Sequence, residues 1–246
     1  MSDTTISTDG DALLASPAIS LAQQAYEYIR AALLSGRFTS GQKLVLRPLA
    51  KEIGISLTPL RDALLRLVVE QALVVNTRGG VVCVPRITAD ELEQILAVRV
   101  PLEGEVAARA ASRITDDQVA ELRRIHADYA ASVQAGEDTA MLHNLRFHRR
   151  IGEIGGARIV NNILDGIWLR LGPLSRVPGT DLVELLDHPH HALIAALEAR
   201  DPVQARDAAI REVRHGHDVT LSRLAHLGEQ GHATSDRGVC KLLRVG

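Results

Sequence analysis

The feature that most constrains this chain is a change of periodicity near Gln71. Upstream of it, apolar residues recur at helical spacing. Just downstream come two short β-prone runs, Leu73-Val74-Val75 and Val81-Val82-Cys83-Val84. They flank Asn76-Thr77-Arg78-Gly79-Gly80, whose paired glycines suit a hairpin tip. Before the switch, Leu21, Ala25, Tyr28/Ile29, Ala32 and Leu33 place a helix on residues 21–34, stopped by Ser35-Gly36, and Gly41 marks a turn. A short helix over about Arg47 to Ile53 ends at Gly54, read as a left-handed cap. Thr58 reads as the N-cap of a third helix, with Pro59 in its first position and Asp62 in its first turn. Leu60, Leu64, Leu67 and Val68 then face inward. Helix, helix–turn–helix and hairpin, closed by Pro85, is the order of a winged helix-turn-helix.

From Thr88-Ala89-Asp90-Glu91, a capping-box-like start, only helical signals follow. Candidate helices run near Ala89–Ser112, Thr115–Gln134, Thr139–Ile154, Ala157–Leu171, Leu182–Glu198 and Pro202–Leu227. Composition supports that reading: 46% of residues are hydrophobic but only 2% are aromatic, which favours aliphatic helical cores over sandwiches or barrels. The expected fold is mainly α: an N-terminal winged helix-turn-helix with a small β-hairpin wing, followed by an all-α helical-bundle ligand-binding domain. Its parts are a disordered leader (1–19), which lacks the order of a secretory signal, a DNA-binding domain (20–86), the helical domain (87–231) and a flexible tail (232–246). No run approaches the roughly 18 apolar residues of a membrane span. Cys83 and Cys240 form no disulfide pattern, which fits a cytoplasmic protein.

The net charge of −2 hides a division. Ser20 to Arg86 holds nine Lys/Arg against four Asp/Glu, a net of +5; Ile87 to Gly231 holds sixteen against twenty-two, a net of −6. A basic head on an acidic body suggests that only the head meets a polyanion. With its leucines inward, the third helix turns Thr58, Arg61 and Asp62 outward. Arg61 can offer a guanine two parallel donors, and Ser56 and Thr58 sit where a hydroxyl or amide could hold a phosphate. Arg47 begins the preceding helix, and Arg78, Gly79 and Gly80 form a wing tip able to approach the backbone or minor groove. The plain alternative for any one arginine is a solvated face.

The run Tyr28-Ile29-Arg30…Leu34-Ser35-Gly36-Arg37-Phe38…Gly41-Gln42-Lys43-Leu44…Leu49-Ala50…Ile53-Gly54-Ile55-Ser56…Thr58-Pro59-Leu60-Arg61-Asp62-Ala63-Leu64…Leu67 resembles the N-terminal domain of GntR-type regulators. The resemblance implies that Arg47, Thr58 and Arg61 contact DNA, with the wing glycines beside it. Leu57 departs from it: the family usually carries a base-reading arginine there, and leucine can at most touch a thymine methyl. Pro48, where an acidic residue is common, is a smaller departure.

Ten histidines are many for this length, and most lie in the second domain. Asn144 and His148 share a helix face, His190 lies on a later helix and Glu212 on the last; together they could hold a divalent ion inside a bundle. The plain reading is an ordinary core or surface histidine in each case. This domain resembles the FCD-type effector domain of the FadR-like branch, through Arg99-Val100-Pro101-Leu102-Glu103, Asn144-Leu145-Arg146-Phe147-His148, and His190 with Ile194, Ala196-Leu197 and Asp201. The resemblance implies a zinc, nickel or similar ion at Asn144, His148, His190 and Glu212, anchoring a small carboxylate. Two positions depart from the family's Asp and three His, namely Asn144 and Glu212, and His215 could substitute for Glu212. Arg99 resembles an arginine that pairs with the effector carboxylate; its alternative is a surface salt bridge with Glu103.

The expected function is a sequence-specific transcription regulator, by default a repressor and not an enzyme. It would act as a homodimer on operator DNA and answer to an organic acid. Two other classes compete. A helical metal-dependent hydrolase is suggested by His217-Asp218, and an adaptor without specific DNA binding by Leu57.

Overall fold

A computed structural model describes residues 19–76, 80–137, 139–175 and 188–232. Its order is α1 (Leu21–Leu34), α2 (Leu46–Ile53), α3 (Leu57–Val69), β1 (Val74–Val75), β2 (Val82–Cys83), α4 (Ala89–Ala111), α5 (Asp116–Gln134), α6 (Ala140–Ile154), α7 (Arg158–Leu171), α8 (His190–Glu198) and α9 (Pro202–His232). One 3₁₀ turn, Gly172–Leu174, follows α7.

The ends of the N-terminal helices follow from single residues. Ser20 caps α1 by accepting from the Gln23 amide, and Gly54 closes α2 at φ 78°, a left-handed turn that glycine adopts without a Cβ clash. At α3 the sequence expectation is off by two residues. Ser56 is the N-cap, so Thr58 and Pro59 lie inside the first turn. Proline is tolerated there because the first four amides of a helix have no intrahelical acceptor. Leu60, Ala63, Leu64 and Leu67 bury the inner stripe of α3 against Ala25, Ile29, Ala32 and Leu33 of α1.

The hairpin pairs Val74 with Cys83 and Val75 with Val82. The segment 41–44, expected only as a turn, also joins it. The Leu44 amide donates to the Val82 carbonyl and the Val84 amide to the Gln42 carbonyl, and Lys43 bridges Cys83. This third rail fixes the hairpin to the body. Of the hairpin tip, Arg78 and Gly79 lie outside the described residues; Gly80 is exposed with φ +63°.

The helical part opens with the expected capping box: Thr88 accepts from the Glu91 amide while Glu91 accepts from the Thr88 amide. A second box, Thr115 with Gln118, starts α5. Helices α4 and α9 pack along their lengths. Where they cross, Gly104 lies under Ile210 and Arg206, and an added Cβ would stand only 3.1 Å from the Ile210 side chain. A core of Val106, Ala110, Leu122, Ile125, Phe147, Ile151, Leu193 and Leu197 joins α4, α5, α6 and α8. The start expected for α8 at Leu182 falls outside the described residues.

The N-terminal core does not end at the hairpin. Leu145, Leu164, Trp168 and Leu169, from α6 and α7, belong to the same buried cluster as Ala25, Ile29 and Leu33. At this seam Gly172 lies against the Leu33 and Leu34 backbone, where an added Cβ would overlap the Leu33 carbonyl oxygen. Among the described residues no helix is long and apolar enough to cross a membrane.

Candidate functional site

Two places hold the side chains that the sequence singled out. On α3, burying the leucine stripe turns Ser56, Thr58, Arg61 and Asp62 outward, all of them exposed. Arg47 is exposed in the first turn of α2. Among the described residues neither Arg47 nor Arg61 has an ion-pair partner, so both guanidinium groups remain available to an outside acceptor. Leu57 is half-buried against the N-terminal core. It therefore packs rather than projecting as the arginine of the resembled pattern would.

The second place is buried between α4, α6, α8 and α9. Glu212 of α9 aims Oε1 between two imidazoles, 3.0 Å from His148 Nε2 and 2.9 Å from His190 Nε2. His190 is fully buried at the first turn of α8, stacked on Phe147 with ring centroids 3.9 Å apart. Glu103 Oε2 lies 3.7 Å from His148 Nδ1, while Glu103 Oε1 accepts from Arg99 Nε at 2.6 Å. Trp168 roofs the group: His148 stacks on its ring, and Arg99 Cζ sits 4.4 Å from the ring centroid.

Burial alone would raise the Glu212 carboxyl, but His190 and His148 outweigh it and hold Glu212 well below the usual carboxylate range. Burial opposes protonation of His148, yet Glu212 and Glu103 together raise it. His190 goes the other way, lowered by a burial that Glu212 only partly offsets.

Two imidazoles and a carboxylate are the donor set of many three-ligand zinc sites, which keep a position open for another oxygen. Donors on a tetrahedral zinc at ~2.1 Å sit about 3.4 Å apart, slightly wider than the contacts here. Glu212 Oε2 makes no hydrogen bond, and the contact of His190 Nε2 with Glu212 lacks hydrogen-bond alignment, so both are buried polar atoms left wanting a partner. His148, His190 and Glu212 therefore fit a divalent ion.

These two places match two family models. The model of bacterial regulatory proteins of the gntR family matches residues 21–83, and the FCD domain model matches residues 94–215. The chain belongs to the GntR family. In this regulator the winged helix-turn-helix is joined to a helical FCD domain, the fold expected from sequence.

This GntR regulator is 29% identical over 189 residues to the HTH-type transcriptional regulator McbR of Escherichia coli, covering 74% of this chain and 85% of that one. It is 26% identical over 213 residues to the gluconate operon transcriptional repressor of Bacillus licheniformis, with 81% and 83% covered. The solved structure of E. coli McbR/YncC superposes with a TM-score of 0.75 at 25% identity, over 84% of this chain and 99% of that one. A putative GntR regulator from Rhodococcus sp. RHA1 shares the fold, with a TM-score of 0.61 at 17% identity, over 83% and 97%.

Of the residues named from sequence, His148, His190 and Glu212 come together. Asn144 lies one turn before His148, half-buried, with its amide turned to Met141 Sδ at 3.9 Å. His215 does not stand in for Glu212: Glu212 is buried and His215 is exposed. Arg99 pairs with Glu103 as its alternative reading expected, but the pair is buried, with side chains 9% and 6% exposed, rather than on a surface. His217 is buried against Glu93 Oε1 at 3.2 Å while Asp218 is exposed, so that dipeptide presents no joint site.

Sequence reasoning missed Glu103, Trp168 and His126. Glu103 was seen only as a salt-bridge partner. Trp168 is the sole tryptophan in the chain, a signal that was available. His126 of α5 places Nδ1 3.0 Å from His190 Nδ1 across 64 residues of chain, and nothing local announces that contact.

Proposed function

We propose that this regulator is a repressor that reads a pseudo-palindromic operator as a homodimer and releases it when a small organic acid occupies the Arg99–His148–His190–Glu212 pocket. Residues 20–86 form its DNA-reading unit and residues 87–231 its sensing unit, and the protein works in the cytoplasm, beside the DNA it controls. Arg61 reads a base edge from α3, with Arg47, Ser56, Thr58 and the wing residues Arg78, Gly79 and Gly80 holding phosphates. Dimerisation supplies the contact area that a single winged helix lacks. Repression fits the relative from B. licheniformis, whose name describes a transcriptional repressor.

The observation that carries the sensing half is the convergence of His148, His190 and Glu212 around buried polar atoms without partners, one carboxylate away from Arg99. A zinc, nickel or similar ion held there would supply a Lewis-acidic anchor for a carboxylate oxygen. Asn144 could add an amide oxygen after a change of side-chain rotamer. Arg99 supplies the second recognition element, a planar donor fork already oriented by Glu103 and Trp168.

Trp168 is also the route of communication. Its ring meets His148 and Arg99, and the same side chain is part of the core that includes α1 of the winged helix. A ligand that shifts the indole shifts the support of the DNA-reading unit, which biases the spacing of the two heads.

The test is gel retardation on the upstream region of the chain's own gene, with organic acids screened by thermal shift, each with and without Zn²⁺ or Ni²⁺. At least one acid should raise the melting temperature and release the DNA, and H148A/E212Q should abolish both responses. An acid response that survives in H148A/E212Q removes the pocket from the account.

A further inference from the structure

The His148–His190–Glu212 set uses one face of His190, and a second group of imidazoles gathers on its other face. His126 projects from the middle of α5, and His188 lies two residues before His190. One ring nitrogen from each of His126, His188 and His190 lies within 4.8 Å of the other two. His126 Nδ1 is 3.0 Å from His190 Nδ1, and His126 Nε2 is 3.3 Å from His191 Nε2. Tyr129 Oη lies 3.3 Å from His188 Nε2, and the His190 backbone amide donates to His188 Nδ1 at 3.3 Å.

The unusual member is His126. A buried imidazole normally turns an N–H to a carboxylate, a backbone carbonyl or water, which fixes its tautomer. Both nitrogens of His126 face only other imidazole nitrogens, although the residue is 8% exposed. Rings packed so closely repel one another when protonated, which favours the neutral form with a lone pair on each ring. Converging lone pairs of neutral imidazoles suit a borderline transition metal.

We propose that His126, His188 and His190 form a second transition-metal site, on the α5 side of His190, that takes Zn²⁺, Ni²⁺ or Cu²⁺ in preference to Mg²⁺ or Ca²⁺. An all-nitrogen set has no hard oxygen donor, and this gives the preference its sign. His191, exposed at the mouth, and the Tyr129 hydroxyl stand next to the three ligands. His190 links the sites, presenting Nε2 to His148 and Glu212 and Nδ1 to His126. With either set filled alone His190 stays neutral. Filling the second breaks its remaining N–H bond as a metal–nitrogen bond forms, and the proton leaves to solvent. The second ion therefore binds more weakly than the first and releases one more proton.

The proposal rests on His190 as a ligand of the first set but not on any effector. The test uses the untagged full-length chain, stripped with a chelator and titrated with Zn²⁺ against a competing chromophoric chelator, with bound metal counted by mass spectrometry. Wild type should take up two ions per chain, the second at least tenfold weaker. H126Q/H188Q should keep one, and H148A/E212Q should also keep one. H126Q/H188Q/H148A/E212Q should keep none, with circular dichroism reporting the fold of each variant. The Cu²⁺ form of H148A/E212Q should show nitrogen hyperfine splitting that is lost when H126Q and H188Q are added. A single ion in wild type, or none in folded H148A/E212Q, overturns the second site. Loss of organic-acid response with the two-ion count intact would instead count against the effector reading alone.

Discussion

Arg61 and Arg99 are the same side chain in opposite settings. Arg61 stands exposed on α3 without an ion-pair partner among the described residues; Arg99 is 7% exposed, hydrogen-bonded to Glu103 and laid over Trp168. A surface that meets a polyanion keeps its cations in water, where leaving them unpaired costs almost nothing until a phosphate or base replaces the solvent. A pocket that meets a small acid has to hold its cation in place beforehand, and burial makes an internal counter-charge obligatory. Substitutions in the two regions should therefore fail in different ways.

The largest effect is expected at the buried pair. Glu103→Ala leaves Arg99 inside the protein without its carboxylate, and breaking a buried ion pair in this way costs about 3–5 kcal/mol. Urea denaturation should show that loss; a change below about 1 kcal/mol would mean that water reaches Arg99. Next comes Arg61→Ala, which should leave urea stability unchanged and weaken operator binding by about 1–3 kcal/mol, roughly tenfold to a hundredfold. Binding to unrelated DNA should remain and fall steeply with salt, and fluorescence anisotropy at two salt concentrations separates the two terms.

A third, intermediate effect is pH-dependent and belongs to the buried region alone. Burial, then His190 and His191, lowers His126 to about 4, and burial, then His190, lowers His188 to about 3, from a usual 6.5. Both are depressed, so below about pH 6.5 the unfolded chain takes up protons that the folded imidazoles refuse. Stability should fall between pH 7 and pH 5, and H126Q/H188Q should flatten that fall. His148, being raised, keeps its contribution below pH 6.5 and loses it on the alkaline side. The depressed Glu212 loses its own only below about pH 4.5; the gain from His148 opposes only the upper part of the fall, and the lowered His190 adds to it. A steeper fall in the double variant would refute the assignment. The smallest effect is optical. Trp168 is the only tryptophan and stacks on His148, so Zn²⁺ should alter its emission in wild type and leave H148A/E212Q nearly silent.

The same contrast explains what the sequence disclosed. Surface-setting features are local. The stripe that places α1 on Leu21–Leu34, the left-handed Gly54 and the Thr88–Glu91 box are each written within a few residues and appear as expected. The start of α3 was misplaced because Ser56 and Thr58 are both able caps and proline fits several first-turn positions. The pocket is non-local. Glu212 meets His148 across 64 residues and His217 meets Glu93 across 124. Helical spacing says which face a residue occupies, not which distant helix covers it. That limit left Glu212 and His215 undecided and hid His126 altogether.

Gly172 sets a mechanical limit on how a signal can leave the pocket. An added Cβ at Gly172 would run into the Leu33 carbonyl oxygen, so this close backbone contact ties α1 to the end of α7. On the proposed dimer reading, a change in the distance between two operator-bound heads then has to come from rotation of one subunit against another. A methyl group at position 172 would pry this joint open and, on the proposed reading, leave the protein able to hold its acid yet deaf to it.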